Sequence, residues 1–322
     1  MKKTLVKTIE SDITISYNDS ICFIGSCFSD EMSVKCKGSG FSVLSNPFGV
    51  VFNPVSIAEL ISRSLDKVAF DDTILKQNDV YLSWLANRTV FSYDEESMRL
   101  QLKHNAATFR TSLCNSKTLF ITLGTAWGYK LKESNQVVAN CHKHPQELFQ
   151  KVLLTSTDIL ASYRKLLSKI KDAFPHLKII FTISPVRHIK DGLIENNISK
   201  SHLITAVHQL VSEFDFVNYF PSYEIVLDEL RDYAYYKGDG IHPNEFAVNR
   251  IWDTFKNSYI DDKTKVILDE FERLSIQSNH KQLHDASEEA TAFNEKLKQR
   301  IIDFKLKYPN VVLTKAMEES CN

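Results

Sequence analysis

The chain has 322 residues, 43% hydrophobic and 25% charged, with a formal net charge of -1 at pH 7. That composition suits an ordinary globular protein with one large core, and its scattered lysines and arginines exclude a nucleic-acid surface as the organising feature. No apolar run approaches the ~20 residues of a membrane span, and residues Met1 to Glu10 have a basic start without an apolar stretch behind it, so a cytoplasmic protein is expected. Six cysteines (Cys22, Cys27, Cys36, Cys114, Cys141, Cys321) are spread along a chain too large to need a disulfide scaffold, and they are expected to be mostly reduced.

The first clear element is Ile21 to Ile24, four apolar residues that suit a strand buried on both faces. Gly25-Ser26 would turn the chain, and Ser29 and Asp30 are N-cap types for a following helix. Phe41 to Leu44 predicts a second strand. Residues 46–54, with two Asn-Pro pairs and Gly49, read as an ordered loop, and Pro54 opens a helix with Ile57, Leu60, Ile61 and Leu65 on its apolar face. Short strand-like pieces follow between Phe70 and Tyr93. A helix is expected over 97–115, burying Met98, Leu102, Phe109 and Leu113. Residues 117–123 form a second buried strand, and alternation at Trp127, Tyr129, Leu131, Val137 and Ala139 predicts a hairpin.

A long amphipathic helix is expected over 157–174, a third buried strand over 177–183, a helix over 195–213 and a fourth strand over 214–220. Pro221 starts another helix. Residues 235–245 read as a loop ending in a helix start, with Pro243 at the first helical position and Phe246, Ile251, Trp252 and Phe255 on the buried stripe. From about Asp261 the pattern is helical and charged, with Val266, Leu268, Phe271, Leu274, Phe293, Leu297, Ile301 and Phe304 as buried positions. Alternating strands and helices argue an α/β fold with a mostly parallel sheet. The expected division is an α/β domain over 1–260 and a helical C-terminal extension over 261–322.

The strand mouths at Ser26, Gly124 and Ser184 would share one edge of such a sheet, where open α/β folds place ligands. Asp239-Gly240-Ile241-His242 supplies an acid and a histidine within four residues. A serine at a strand-to-helix turn, a histidine base and an aspartate that orients it are the parts of nucleophilic acyl transfer. Either feature alone reads equally as an ordinary turn.

Together these blocks are specific. Gly25-Ser26-Cys27-Phe28-Ser29 resembles the signature of the GSCFA family, with serine for the final alanine. Asn46-Pro47-Phe48-Gly49, Leu123-Gly124-Thr125-Ala126-Trp127, Asn140-Cys141-His142-Lys143, Ser184-Pro185-Val186-Arg187-His188 and Asp239-to-His242 resemble further blocks of that family in the same order, over roughly residues 1 to 255. The family is similar to the SGNH, or GDSL-like, hydrolases. That likeness implies a three-layer α/β/α flavodoxin-like fold with accessory C-terminal helices, and a serine esterase without metal or cofactor. By the same likeness Ser26 is the nucleophile, His242 the base and Asp239 its orienter. Gly49 corresponds to the glycine that donates a backbone N–H to the oxyanion, beside the N–H of Ser26, and Gly124-Thr125 opens the third block. That block lacks its usual asparagine, so Asn140 or His142 is expected to supply the missing donor. Arg187 and His188 are expected in the cleft, with Arg187 on an anionic or carbonyl part of the substrate.

Three rivals accompany this reading. The first block reads Gly-Ser-Cys where the hydrolases have Gly-Asp-Ser, which leaves Cys27 as an alternative nucleophile. Cys141-His142-Lys143-His144 offers metal-ligand types, but no second cluster of matching spacing accompanies it. The fold could also serve as a non-catalytic binding module for a carbohydrate or small molecule, or as an acyltransferase on the same serine. The expected substrate, an O-acyl ester of a carbohydrate or other small molecule, follows from the family likeness.

Overall fold

The computed structural model describes residues 4–7, 12–279 and 288–321; most of the stretch Met1 to Glu10 discussed above lies outside these. The fold is organised by β1 (Ser20–Gly25), whose apolar run has neighbours on both sides and both faces. Cys22 and Ile24 point into one core while Ile21 and Phe23 point into the other. This period-2 division is what a four-residue apolar run becomes in a strand covered by helices on each face.

After β1 come α1 (Cys27–Gly38), β2 (Ser42–Ser45), α2 (Pro54–Asp66), the hairpin β3 (Ile74–Gln77) and β4 (Val80–Ser83), and α3 (Glu95–Asn115). Next are β5 (Ser116–Leu123), β6 (Trp127–Leu131), β7 (Val137–Val138), β8 (Phe149–Leu153), α4 (Ser156–Ala173), β9 (Lys178–Ile183), α5 (Leu193–Glu213) and β10 (Val217–Phe220). A short turn α6 (Ser222–Glu224) runs into a π-helical stretch, Ile225–Leu230. The chain then forms α7 (Glu245–Tyr259), α8 (Asp262–Asn279), α9 (Glu288–Lys307) and α10 (Lys315–Cys321).

Five strands form one parallel sheet in the order β10-β9-β5-β1-β2. Numbered within the sheet, that is the 2-1-3-4-5 order of flavodoxin-like folds, with its switch point between β1 and β5. Helices α2, α3, α4 and α5 cover one face. Helices α1, α7, α8 and α9 cover the other, where Leu268, Phe271, Leu274, Leu297, Ile301 and Phe304 join the same core as Phe23 and Phe120. The expected three-layer α/β/α architecture with a parallel sheet and C-terminal helices is therefore what the chain adopts.

Several local expectations are corrected. Strand β8 was not foreseen; it pairs antiparallel with β6 to make a three-stranded sheet β7-β6-β8, and its exposed Gln150 and Lys151 hide any alternation. Pro243 precedes the α7 cap, because Asn244 takes the cap and its side chain accepts from the Ala247 N–H. Phe246 is 63% exposed, lying beside the stripe of Ala247, Val248, Ile251, Trp252 and Phe255. Val266 and Phe293 also face outward, off the stripes of their helices. Among the described residues no helix is long and apolar enough to cross a membrane, and the six cysteines are free.

Candidate active site

The turn after β1 is held rigidly. Gly25 has φ +136°, and a Cβ there would stand 2.1 Å from the Thr122 carbonyl oxygen of β5, so only glycine permits this close approach of strands. The Gly25 N–H donates to Asn46 Oδ1 at 2.8 Å, and Asn46 Nδ2 donates to Asp30 Oδ1 at 2.8 Å. Asn46, with φ 43°, thus pins the turn to the first residues of α1. The sequence placed Asn46 in an ordered loop without this role; an asparagine tolerating positive φ is the signal that marks it.

Ser26 is the N-cap of α1, three residues earlier than Ser29. It is 1% exposed, its N–H donates to the Thr122 carbonyl at 3.0 Å, and its Oγ accepts from the Phe28 N–H at 3.4 Å. The next residue, Cys27, is the one that reaches the cleft at this end of the sheet. That cleft has a volume of about 350 Å³ and lies outside the carboxyl ends of β1, β5 and β9. Cys27, Phe52, Gly124, Thr125, Ser184, Val186, Arg187, His188, Ile241 and His242 line it.

His242 comes from a small hairpin in which Tyr236 bridges to Pro243 and the Lys237 N–H donates to the His242 carbonyl at 2.7 Å. Gly240, at φ +66°, makes the reversal and returns its N–H to Lys237. Asp239 Oδ2 receives His242 Nδ1 at 2.7 Å, while Oδ1 receives the N–H groups of Ile241 (2.8 Å) and His242 (3.0 Å). The two backbone N–H groups and the imidazole hold the Asp239 carboxyl well below the usual carboxylate range. An ionised Asp239 fixes the ring with its proton on Nδ1, which leaves Nε2 as the ring's proton acceptor. The Arg187 N–H donates to the Ile241 carbonyl at 3.3 Å, tying the loop after β9 to this hairpin.

Five of the expected site residues line the cleft: Gly124, Thr125, Arg187, His188 and His242, with Asp239 behind His242. Ser26, Gly49, Asn140 and His142 are not among its walls. The Gly49 N–H, expected at the oxyanion, donates instead to the Asn46 carbonyl at 2.8 Å, closing the loop at φ +71°. The Ser26 N–H is committed to Thr122 in the same way. Gly124 and Thr125 both give their N–H groups to the Phe52 carbonyl, at 2.9 and 3.2 Å. Glycine at 124 lets Phe52 come close, since a Cβ would meet its ring and backbone at 3.1 to 3.2 Å.

Asn140 and His142 belong to a separate cluster, in which His142 is buried and Asn140 half-buried. His142 Nε2 donates to the Ser83 carbonyl at 2.7 Å, its ring lies 5.9 Å from that of Trp84, and Asn140 Oδ1 accepts the His142 N–H. Burial depresses the His142 pKa. Its order in the chain, next to the strand mouth, suggested the cleft; folding back against the β3–β4 hairpin takes it elsewhere. Among the described residues no group of three or more His, Cys, Asp or Glu side chains is arranged to hold a metal ion.

The sequence missed Lys200. It lies on the buried face of α5 with Asn196, Leu203 and Val207, a spacing of four, three and four that a helical reading could have flagged. Its Nζ donates to the carbonyls of Gly124 (2.6 Å) and Ser184 (2.7 Å), joining the ends of β5 and β9 under the cleft. Burial lowers its pKa from 10.5 to about 7.

Comparison with solved structures returns distant likenesses. A protein of Parabacteroides merdae described as a GDSL-like lipase is 12% identical, with 78% of this chain and 98% of that one covered and a TM-score of 0.39. A carbohydrate esterase family 3 protein from Talaromyces cellulolyticus is 9% identical over 78% and 99% of the two chains, with a TM-score of 0.35. An acetyl xylan esterase from Butyrivibrio proteoclasticus is 10% identical over 76% and 64%, with a TM-score of 0.38. A search of curated proteins finds no match. The model of the GSCFA family matches residues 20–255, and with most of its length inside that match the chain belongs to the GSCFA family.

Proposed function

We propose that the protein is an ester hydrolase that works through an acyl-enzyme. The observation that supports this most is the Asp239–His242 pair at 2.7 Å, set in a cleft at the sheet's switch point beside the turn that follows β1. A base oriented by a carboxylate, next to a nucleophile at a helix start, is the arrangement that acyl transfer requires. The nucleophile of the Ser26–Cys27 turn attacks the ester carbonyl as His242 Nε2 accepts its proton. His242 then protonates the leaving alcohol, and water, activated by the same nitrogen, releases the acid. The substrate class is an O-acyl ester of a carbohydrate or other small molecule. The apolar walls Phe52, Val186 and Ile241 suit a short acyl chain. Steady-state hydrolysis of p-nitrophenyl acetate and of acetylated sugars tests the reading; activity that no substitution in the cleft reduces would refute it.

Arg187 gives the reading a preference among esters. Its guanidinium lies 4.4 Å from the Tyr236 ring centroid and 5.0 Å from that of Tyr233, and among the described residues it has no carboxylate partner. Asp191, four residues along the chain, pairs with Lys151. A guanidinium stacked on two rings and facing a cleft suits a carboxylate or another anionic group. A charge-assisted hydrogen bond contributes about 1.5–3 kcal/mol, so Arg187→Gln should lower kcat/KM for an ester carrying an anion by roughly ten- to a hundredfold. For a neutral ester of the same acyl group the loss should be severalfold at most. Equal losses on both substrates would remove the anion preference.

A further inference from the structure

We infer that the attacking atom of this site is the Cys27 sulfur and not the Ser26 hydroxyl, an inference that rests on the hydrolase reading above and specifies its nucleophile. Cys27 and His242 are walls of one cleft, and Ser26 is not. The two side chains leave the same turn in different directions because the turn cannot move. Gly25 is locked against Thr122, the Ser26 N–H is bound to Thr122, and the Ser26 hydroxyl serves the helix it caps. A hydroxyl that accepts from Phe28 at 1% exposure would have to abandon the cap and displace the packing above it to meet a substrate. Cys27, the first residue of α1, needs no rearrangement.

The backbone agrees with the side chains. Around the turn, Gly25 donates to Asn46, Ser26 to Thr122, Phe28 to Ser26 Oγ and Ser29 to the Ser26 carbonyl. The Cys27 N–H is the one left without an oxygen acceptor among the described residues, and it lies against its own sulfur. An acyl group on Sγ would bring its carbonyl oxygen to that N–H, at the positive end of a twelve-residue helix. The hole that Ser26 and Gly49 cannot furnish thus has its first donor from Cys27 itself.

Burial and the carboxylates of Glu31 and Asp30 push the Cys27 thiol up, so the resting group is the thiol and needs a base. That is the task for which His242 is held. As the Sγ–C bond forms, the thiol proton passes to His242 Nε2. The tetrahedral species collapses with cleavage of the C–O bond, and the alcohol leaves with that proton. Water then attacks the thioester, gives a proton to Nε2, and the C–S bond breaks, with the sulfur recovering its proton from His242.

The full-length protein, turned over with p-nitrophenyl acetate, quenched in acid and peptide-mapped by mass spectrometry, distinguishes the two atoms. The expected adduct is an acetyl group on Cys27, removed by neutral hydroxylamine as a thioester is. Cys27→Ala should lose at least ~10³-fold in kcat while melting as the wild type does. Cys27→Ser should carry its adduct as an ester that neutral hydroxylamine leaves in place. Ser26→Ala should melt lower, through its lost cap, and still acetylate at Cys27. An adduct on Ser26, or a folded Cys27→Ala that turns over while Ser26→Ala does not, overturns the inference and leaves the hydrolase reading standing. Neither turnover nor adduct in the wild type overturns both.

Discussion

His242→Ala should reduce kcat/KM for aryl esters by roughly 10²–10⁴-fold, the range that a positioned general base contributes. The fold should barely register the change. The His242 side chain is 42% exposed on a surface hairpin, and the interactions that shape that hairpin are backbone ones: Lys237 N–H to the His242 carbonyl, Gly240 N–H to Lys237, and Tyr236 against Pro243. Removing the imidazole leaves all three in place, so thermal melts of variant and wild type should agree within a few degrees. Asp239→Asn is a subtler change with a different signature. Its carboxylate receives two backbone N–H groups as well as the ring, and an amide oxygen can keep the backbone pair while its NH2 faces the wrong way for Nδ1. The loop should survive and the ring should lose its fixed tautomer, giving a loss in kcat at a nearly unchanged melting temperature. Because Asp239 is held well below the usual carboxylate range, any acid limb of the wild-type pH profile belongs to another group. A loss in His242→Ala of less than about threefold would mean that His242 is not the base.

The contrast between Asp239–His242 and the oxyanion donors shows what a sequence of this kind can disclose. Asp239 and His242 are three residues apart, so one tight loop suffices to join them, and local spacing carries that information. The buried runs at 21–24, 117–123 and 177–183 likewise announce a parallel sheet, because strands covered on both faces need no alternation. Backbone N–H groups leave no such trace. Whether Gly49 or Ser26 has a free donor depends on where Asn46 and Thr122 stand, and those are contacts across the sheet and the loop. The positions of Asn140 and His142 depend on how the chain between β7 and β8 folds against the β3–β4 hairpin, over some sixty residues of separation. Which of Ser26 and Cys27 faces the cleft was undecidable from Gly-Ser-Cys alone. A helix start one residue after Ser26, where the sequence suggested Ser29 or Asp30 as the cap, settles the directions of both side chains.

Lys200 was hidden for a different reason: lysine is read as surface unless its helical position says otherwise, and burying one wholly is costly. Its pH behaviour should expose that cost. In the unfolded chain Lys200 keeps its proton to about pH 10.5, whereas the folded protein releases it at about pH 7. Between those values the unfolded state binds more protons, so this residue makes folding more favourable as pH rises, by up to ~1.4 kcal/mol per pH unit. Below pH 7 both states are protonated and the penalty is constant. The raised thiols of Cys22 and Cys36 act in the opposite direction at alkaline pH, which makes wild-type stability alone a poor readout. They are present equally in a Lys200→Met variant and cancel in the difference. Urea unfolding of both proteins at pH 7, 8, 9 and 10 should therefore show wild-type stability minus variant stability climbing by about 3.5 kcal/mol in all, roughly four-hundredfold in the folding constant. A difference that stays flat would mean that the folded protein keeps the proton on this amine across that range, as the unfolded chain does. A rising difference also bears on the cleft, since the same Nζ holds the Gly124 and Ser184 carbonyls: as the ammonium loses its proton, the floor keeps its two hydrogen bonds and sheds the buried charge that lies near the Cys27 sulfur.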